Sequence, residues 1–394
     1  MPGLKITITK LFTLIFSCLY LHVQEVKAAS VVFNQLESEL FLSDKRIYST
    51  AFDNDGFLWF AMKSKIWRFD GNSYKNIVYS QNQKITKIKK IHFDRYNNLW
   101  IGTENNGVFK YNGHSTQNLT IENSSINSNL ISALASGDNE NLWIGTNNGL
   151  NLVLGNTVTS YPLINKQGLT SSIYITSILH YSKDKLLIGS KKGLYLFNKK
   201  TGEYRPIDLT GRKENFIVYT IYKDTHEKIW IGTQKGIFET SDSLLDIRQY
   251  QSTLFDYPIT SINIDESSIW IGTLSEGLFR VSKENGDIDQ FLSNSHLSTT
   301  ISDNSIISMI EHGNLLWINT FSGGLNYINK ETLKFGLNKS LKNNIGCAKS
   351  NIFTQFVLDK KSILWVATEN GLLKINTKTG NCSNYFLDLN SENA

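Results

Sequence analysis

Short apolar runs alternate along almost the whole chain with clusters rich in Asp, Asn and Gly. Runs dominated by β-branched and aromatic residues predict strands, and the polar clusters supply the φ > 0 positions that tight turns need. Ile259-Thr260-Ser261-Ile262-Asn263-Ile264 is such a strand, and Asp53-Asn54-Asp55-Gly56 is such a turn. No connection between neighbouring runs is long enough for a crossover helix, so successive strands pair as antiparallel meanders.

One tetrapeptide punctuates the pattern. Trp-Ile-Gly-Thr occurs whole at 100–103, 143–146, 230–233 and 270–273, with relatives beginning at Trp59, Leu187, Trp317 and Trp365. The eight first positions are spaced by 41, 43, 44, 43, 40, 47 and 48 residues, the period of a propeller blade. Trp59, Trp100, Trp143, Trp230, Trp270, Trp317 and Trp365 all sit at this one place, and only Trp67 does not. A strand-like run and a turn precede each copy. A short polar turn follows, closed by Gly and an apolar residue, as in Gly107-Val108 or Gly236-Ile237; the first copy has Lys65-Ile66 instead. A third strand and a more polar fourth complete the repeat.

Each repeat therefore predicts four strands, a to d, with a innermost and d at the solvated edge. Pro206 falls in a d strand, where a missing backbone donor is tolerated. One such sheet cannot bury both faces alone, and ringed neighbours bury them against each other. The expected fold is all-β, a β-propeller of four-stranded antiparallel blades. The repeat Trp is large enough to bridge two blades, and the Gly two residues later lets the neighbour approach.

Composition sharpens this picture. Apolar residues make up 40% and charged residues 19% of 394 residues, with a formal net charge of +5 and no Lys/Arg run. Such a chain is folded, and no nucleic-acid surface is expected. Lys5 and Lys10 precede an apolar stretch at 11–23, and Val26-Lys27-Ala28 offers a cleavage site. Residues 1–28 thus read as a signal peptide, with a lipoprotein reading through Cys18 as the alternative. No later run is long and apolar enough for a membrane span, so a periplasmic or secreted mature protein is expected. Cys347 and Cys382 remain; the strand reading puts them at opposite ends of a blade, and they are expected as free thiols.

Trp-Ile-Gly-Thr, two or three polar residues and then Gly-Leu resembles the two-component regulator propeller repeat, over residues 47–394. The resemblance implies a periplasmic sensing module, which in hybrid sensors stands as tandem seven-bladed propellers ahead of a membrane helix and an output domain. It implies a small-molecule or oligosaccharide ligand, or a protein partner such as downstream signalling domains. A free-standing exported scaffold is the alternative function, and a propeller lyase or glycosidase a third.

The residues themselves offer no chemistry. His92, His114, His180, His226, His296 and His312 fall at different places in different repeats, His92 and His180 on a strands and the others in turns or loops. None has metal-ligand spacing. Residues 53–56 resemble the start of a calcium loop but lack its later acidic ligand. No catalytic centre, metal or cofactor is expected. A ligand would touch only some blades, so positions that break the repeat are informative. The b–c turns and d–a loops share one end of the blades, which makes that end the candidate face: Asn105, Asn106, Asn147, Asn148, Lys191, Lys192, Gln234, Lys235, Ser275, Glu276, Phe321, Ser322, Glu369 and Asn370.

The ends of the chain bear on the blade count. Residues 31–36 read as a d strand without its own a, b and c, placed to complete the seventh repeat beside 325–328. The eighth repeat has its own d strand. The expectation is a propeller over 29–330 of seven blades, with 331–394 an extra repeat that begins a second propeller; eight blades in one ring is the alternative.

Overall fold

The structure is a computed structural model, and it describes residues 31–36, 45–79, 85, 87–137, 141–164, 170–211, 214, 216–241, 243–251, 255–331, 353–359, 361–368, 371–376 and 382–385. The chain divides into two compact units, Val32–Glu331 and, separately, Met1–Val31 with Thr332–Ala394.

Among the described residues, Val32–Glu331 holds seven four-stranded antiparallel sheets. Blade 1 runs Ser49–Phe52, Leu58–Met62, Lys65–Phe69 and Tyr74–Ile77. Blade 2 is Ile88–Phe93, Leu99–Thr103, Val108–Tyr111 and Thr116–Leu119; blade 3 is Ile131–Ser136, Leu142–Thr146, Gly149–Leu154 and Thr157–Tyr161. Blade 4 is Ile175–Ser182, Lys185–Ser190, Gly193–Asn198 and Tyr204–Ile207; blade 5 is Val218–Lys223, Ile229–Thr233, Gly236–Thr240 and Arg248–Gln249. Blade 6 is Ile259–Ile264, Ser268–Thr273, Leu278–Ser282 and Ile288–Phe291. Blade 7 is Ile306–His312, Leu315–Thr320, Leu325–Asn329 and, from the other end of the sequence, Asn34–Gln35. The a strands of successive blades contact one another around a ring, and the a strand of blade 7 meets that of blade 1. This is a β-propeller.

The N-terminal strand closes the ring. Asn34 pairs with Tyr327 and Gln35 with Asn326, while the Leu36 amide donates to the Leu325 carbonyl at 2.9 Å. The exposed edge of the last blade is thereby paired to a strand from the other end of the propeller's sequence.

Two motif positions build the seams between blades. The Trp side chain packs across a seam: Trp100 clusters with Ile131, Leu142 and Ile144 of blade 3, and Trp230 with Ile259, Ile269 and Ile271 of blade 6. Its indole N–H is satisfied by an aspartate in the a–b turn of its own blade. Trp59 donates to Asp53 at 2.7 Å, Trp100 to Asp94 at 2.9 Å, Trp230 to Asp224 at 3.0 Å and Trp270 to Asp265 at 3.1 Å. The same aspartates accept turn amides; Asp53 accepts from Asp55 and Phe57. Residues 53–56 are thus a hairpin turn that anchors a tryptophan.

The motif Gly leaves room for the next blade. A Cβ on Gly102 would lie 2.5 Å from Ile131 Cγ2, and one on Gly272 would lie 2.7 Å from Ile306 Cγ2. At blade 7 the position is Asn319, and its Nδ2 donates to the Ile47 carbonyl of blade 1 at 2.9 Å. The closing seam therefore uses a buried hydrogen bond where the others use close apolar contact.

The last sheet, Phe353–Leu358, Ile363–Thr368, Gly371–Asn376 and Cys382–Tyr385, repeats the same pairing in the other unit. Trp365 is half-buried there, and Phe356, Val357 and Leu358 are exposed. Two expectations need correction. Cys382 is disulfide-bonded, not a free thiol. The spacing argument placed both cysteines at the ends of blade strands; Cys382 opens the last strand of this sheet, and the other cysteines of the chain lie outside the described residues. His312 is not in a loop but closes the blade 7 a strand, where its ring stacks on Phe52 at 4.2 Å between centroids. The signal peptide at 1–28, Cys347 itself and the junction at 336–350 lie outside the described residues.

Candidate functional site

The b–c turns come first, because most candidate residues lie on them. Each is locked by the last motif residue. Thr103 Oγ1 donates to the Gly107 carbonyl at 2.8 Å and accepts the Asn106 amide at 2.8 Å; Thr233 does the same with Gly236 at 2.8 Å and Lys235 at 3.1 Å. Thr146, Ser190, Thr273, Thr320 and Thr368 repeat the bond to the turn glycine. Those glycines hold φ from 70° to 127°, and a Cβ on Gly107 or Gly236 would meet a carbonyl oxygen at 2.1 Å. The turns are rigid platforms for the side chains between.

On these platforms the candidates divide. Asn105, Lys191, Lys192, Gln234, Lys235, Ser275, Phe321 and Ser322 are exposed, as is Asn148, while Asn106, Asn147 and Glu276 are half-buried. Several are engaged locally. Asn148 Nδ2 donates to the Asn127 carbonyl at 3.2 Å, Lys192 Nζ to that of Ser172 at 2.7 Å, and Ser275 Oγ to Glu276 at 3.1 Å. Lys235 pairs with Glu214 at 3.5 Å, and Ser322 donates its amide to Asp303 at 2.8 Å. Glu369 and Asn370 lie outside the described residues.

The first residue of a turn lies nearest the centre of the ring. Its amide donates to the residue just before an a strand: Glu104 to Lys87 at 3.0 Å, Lys191 to Tyr174 at 3.0 Å, Gln234 to Ile217 at 2.9 Å, Leu274 to Pro258 at 3.0 Å and Phe321 to Ser305 at 2.9 Å. Immediately inside, the a strands of blades 2 to 7 carry a register shift against their b strands. The residue inside the shift is Lys89, Ser132, Thr176, Tyr219, Thr260 or Ile307. Such bulges re-aim a side chain. Here they place five different residue types around the mouth of the central channel.

A cavity of about 690 Å³ opens there, lined by a-strand residues of blades 4 to 7, by Lys90 of blade 2, and by Leu274 and Phe321 from the turns. One side is cationic. Lys87 and Lys89 share Glu104, at 3.4 and 3.8 Å. Burial lowers the Lys89 pKa, the Lys87 and Lys191 charges lower it further, and Glu104 opposes them. Lys191 Nζ stands 4.1 Å from the Tyr174 ring centroid. Burial, then the Lys89 charge, holds the Lys90 ammonium below its usual range. The other side is apolar, with Leu274 and Phe321 47% and 44% exposed. Arg46 covers one face of Phe321, 3.7 Å from its centroid.

No protein-family model matches the chain. Over 262 residues, 58% of this chain, it is 26% identical to histidine kinase P4 of Formosa agariphila, covering 19% of that protein. Its fold matches the extracellular domain of the putative hybrid two component system BT3049 from B. thetaiotaomicron with a TM-score of 0.70. That match covers 91% of this chain and 49% of the other at 22% identity. These likenesses show the propeller fold. The chain spans about a fifth of the kinase and about half of the extracellular domain.

The propeller fold also carries enzymes. Virginiamycin B lyase from Staphylococcus aureus matches with a TM-score of 0.61 over 75% of this chain and 99% of its own, at 13% identity. At the far end of the channel Ser136 of blade 3 gathers two histidines that the sequence left apart. His92 Nε2 lies 2.7 Å from its Oγ, and His180 Nε2 lies 2.5 Å from its carbonyl oxygen. Each is 44 residues from Ser136, one repeat away in an adjacent blade. Burial lowers the His92 pKa, against the Asp94 charge. Among the described residues no carboxylate hydrogen-bonds the second His92 nitrogen, so the pair lacks the orienting acid of a hydrolytic triad. No group of three or more His, Cys, Asp or Glu among the described residues could hold a metal. No helix among them is long and apolar enough to cross a membrane.

Proposed function

We propose that this propeller is the ligand-sensing or partner-binding module of a two-component-type signalling protein, working outside the cytoplasm, and that it binds without transforming its ligand. The signal segment at 1–28 would direct it there. The last sheet, whose Phe356, Val357 and Leu358 are exposed, would begin a second propeller supplied by further repeats. The observation that carries the reading is the open mouth of the channel. It is the place where a symmetric scaffold turns asymmetric, and it is a cavity of ligand size. Kinship of 262 residues with a histidine kinase supports signalling as the use of that cavity.

The test is a thermal-shift screen of the purified mature chain against neutral and acidic saccharides and small carboxylates. Recovered ligand would then be analysed by chromatography. The reading expects saturable stabilisation and ligand recovered unchanged. Cleaved or isomerised ligand would make the protein an enzyme instead.

A further inference from the structure

We infer that the channel mouth is built for a small organic anion, held by Lys90 and Lys89 at its charged end and by Phe321 and Leu274 along its apolar body. The inference rests on the sensing reading and names the ligand class of that same site.

Lys90 carries the argument. It lines the cavity, is half-buried, and has no hydrogen-bond or ion-pair partner among the described residues. An ammonium withdrawn from water without a counter-charge is costly. Its surroundings add to that cost, because Lys89 is its neighbour and Lys87 and Lys191 act on Lys89 in turn. Glu104 is already shared by Lys87 and Lys89. Glu311, on the cavity wall, accepts Lys330 at 2.5 Å, and Asp303 accepts the amides of Ser305 and Ser322. A structural role does not explain a cation concentrated this way. A site for an anionic ligand does.

The opposite arc selects what carries the charge. Phe321 and Leu274 project from turns of blades 7 and 6, with Ile307 and Tyr219 on the bulges beside them. A bare inorganic anion would leave this surface wet. A ring bearing a carboxylate would cover it, since sugar rings and aromatic acids both present an apolar face.

Galacturonic acid, neutral galactose and inorganic sulfate separate the two halves of the claim. Each would be titrated by calorimetry into the wild-type chain, Lys90→Met, and Lys200→Met as a control. Lys200 pairs with Asp184 at 2.9 Å at the other end of the blades. Wild type is expected to bind galacturonic acid, more weakly as salt rises. Lys90→Met should lose roughly tenfold or more, the value of a charge-assisted hydrogen bond, while Lys200→Met binds as wild type. Sulfate should bind about tenfold more weakly than galacturonic acid, and galactose not measurably. Without ligand, Lys90→Met should melt higher than wild type, because an unpaired charge is gone. A purely structural lysine would give a lower melting point. Galactose binding as tightly as galacturonic acid, sulfate equalling it, an unchanged Lys90→Met, or no anion binding at all would each overturn the inference. The first of these would leave the sensing reading standing. Turnover of bound galacturonic acid would end the sensing reading but not the anion site.

Discussion

The seams between blades and the mouth of the channel are made from the same repeat, yet they use it in opposite ways. At the seams, equivalent positions hold equivalent residues. Trp meets Asp, Gly meets the first a-strand residue of the next blade, and Thr locks the turn. At the mouth, equivalent positions hold Lys89, Ser132, Thr176, Tyr219, Thr260 and Ile307. Regularity marks what holds the ring together, because every seam must satisfy the same geometry. Irregularity marks what a ligand can read, because a ligand breaks the symmetry of the ring.

Substitutions at the two places should differ accordingly. The largest effect is expected from Trp230→Ala. It empties the seam beside Ile259 and Ile271 and removes a donor from Asp224. A loss of about 3–5 kcal/mol in denaturant unfolding is expected, and a loss under about 1 kcal/mol would mean that the seam does not depend on its tryptophan. Gly272→Leu should cost about 1–3 kcal/mol by forcing Ile306 aside. The urea midpoint checks it. Thr233→Val keeps the volume but strands the Lys235 amide, for a loss of about 1 kcal/mol. Mouth variants such as Tyr219→Phe should lie within about 0.5 kcal/mol of wild type.

A pH series sharpens the seam side. The Asp94 pKa is lowered: burial raises it, but bonds from Asn98, Trp100 and the turn amides prevail. A carboxyl depressed in the folded state stabilises above its unfolded pKa of about 3.9, and that contribution fades as pH falls through the folded value. Trp100→Phe removes one of those bonds. Its cost should therefore be greater at pH 7 than in strong acid, as measured by paired denaturant curves. An equal cost at both would show that the tryptophan stabilises by packing alone.

Much of this was readable in the sequence, for a physical reason. Strand runs, turn glycines and the tryptophan period are imposed identically at each seam, so they recur and reveal themselves. The Trp–Asp pair left a spacing signal that the turn reading passed over. Asp lies six residues before Trp at 53/59, 94/100, 224/230 and 359/365, and five before it at 265/270. The mouth was only half legible. The turn positions, Lys191 and Phe321 among them, could be named from the turns. Lys89 and Lys90 could not, because a bulge demands no residue type and looks in sequence like ordinary strand. Nor could the meeting of His92, Ser136 and His180, since their register across blades depends on how each sheet sits against the next.

The central claim is that symmetry builds the ring and its breakdown at the mouth binds. A crystal structure of the wild-type chain grown with galacturonic acid tests it most directly. The account predicts the sugar in the channel mouth, its carboxylate within about 3 Å of Lys90 Nζ and its ring against Phe321. A sugar lodged instead at a regular seam, or on the outer edge strands with the mouth empty, would contradict it.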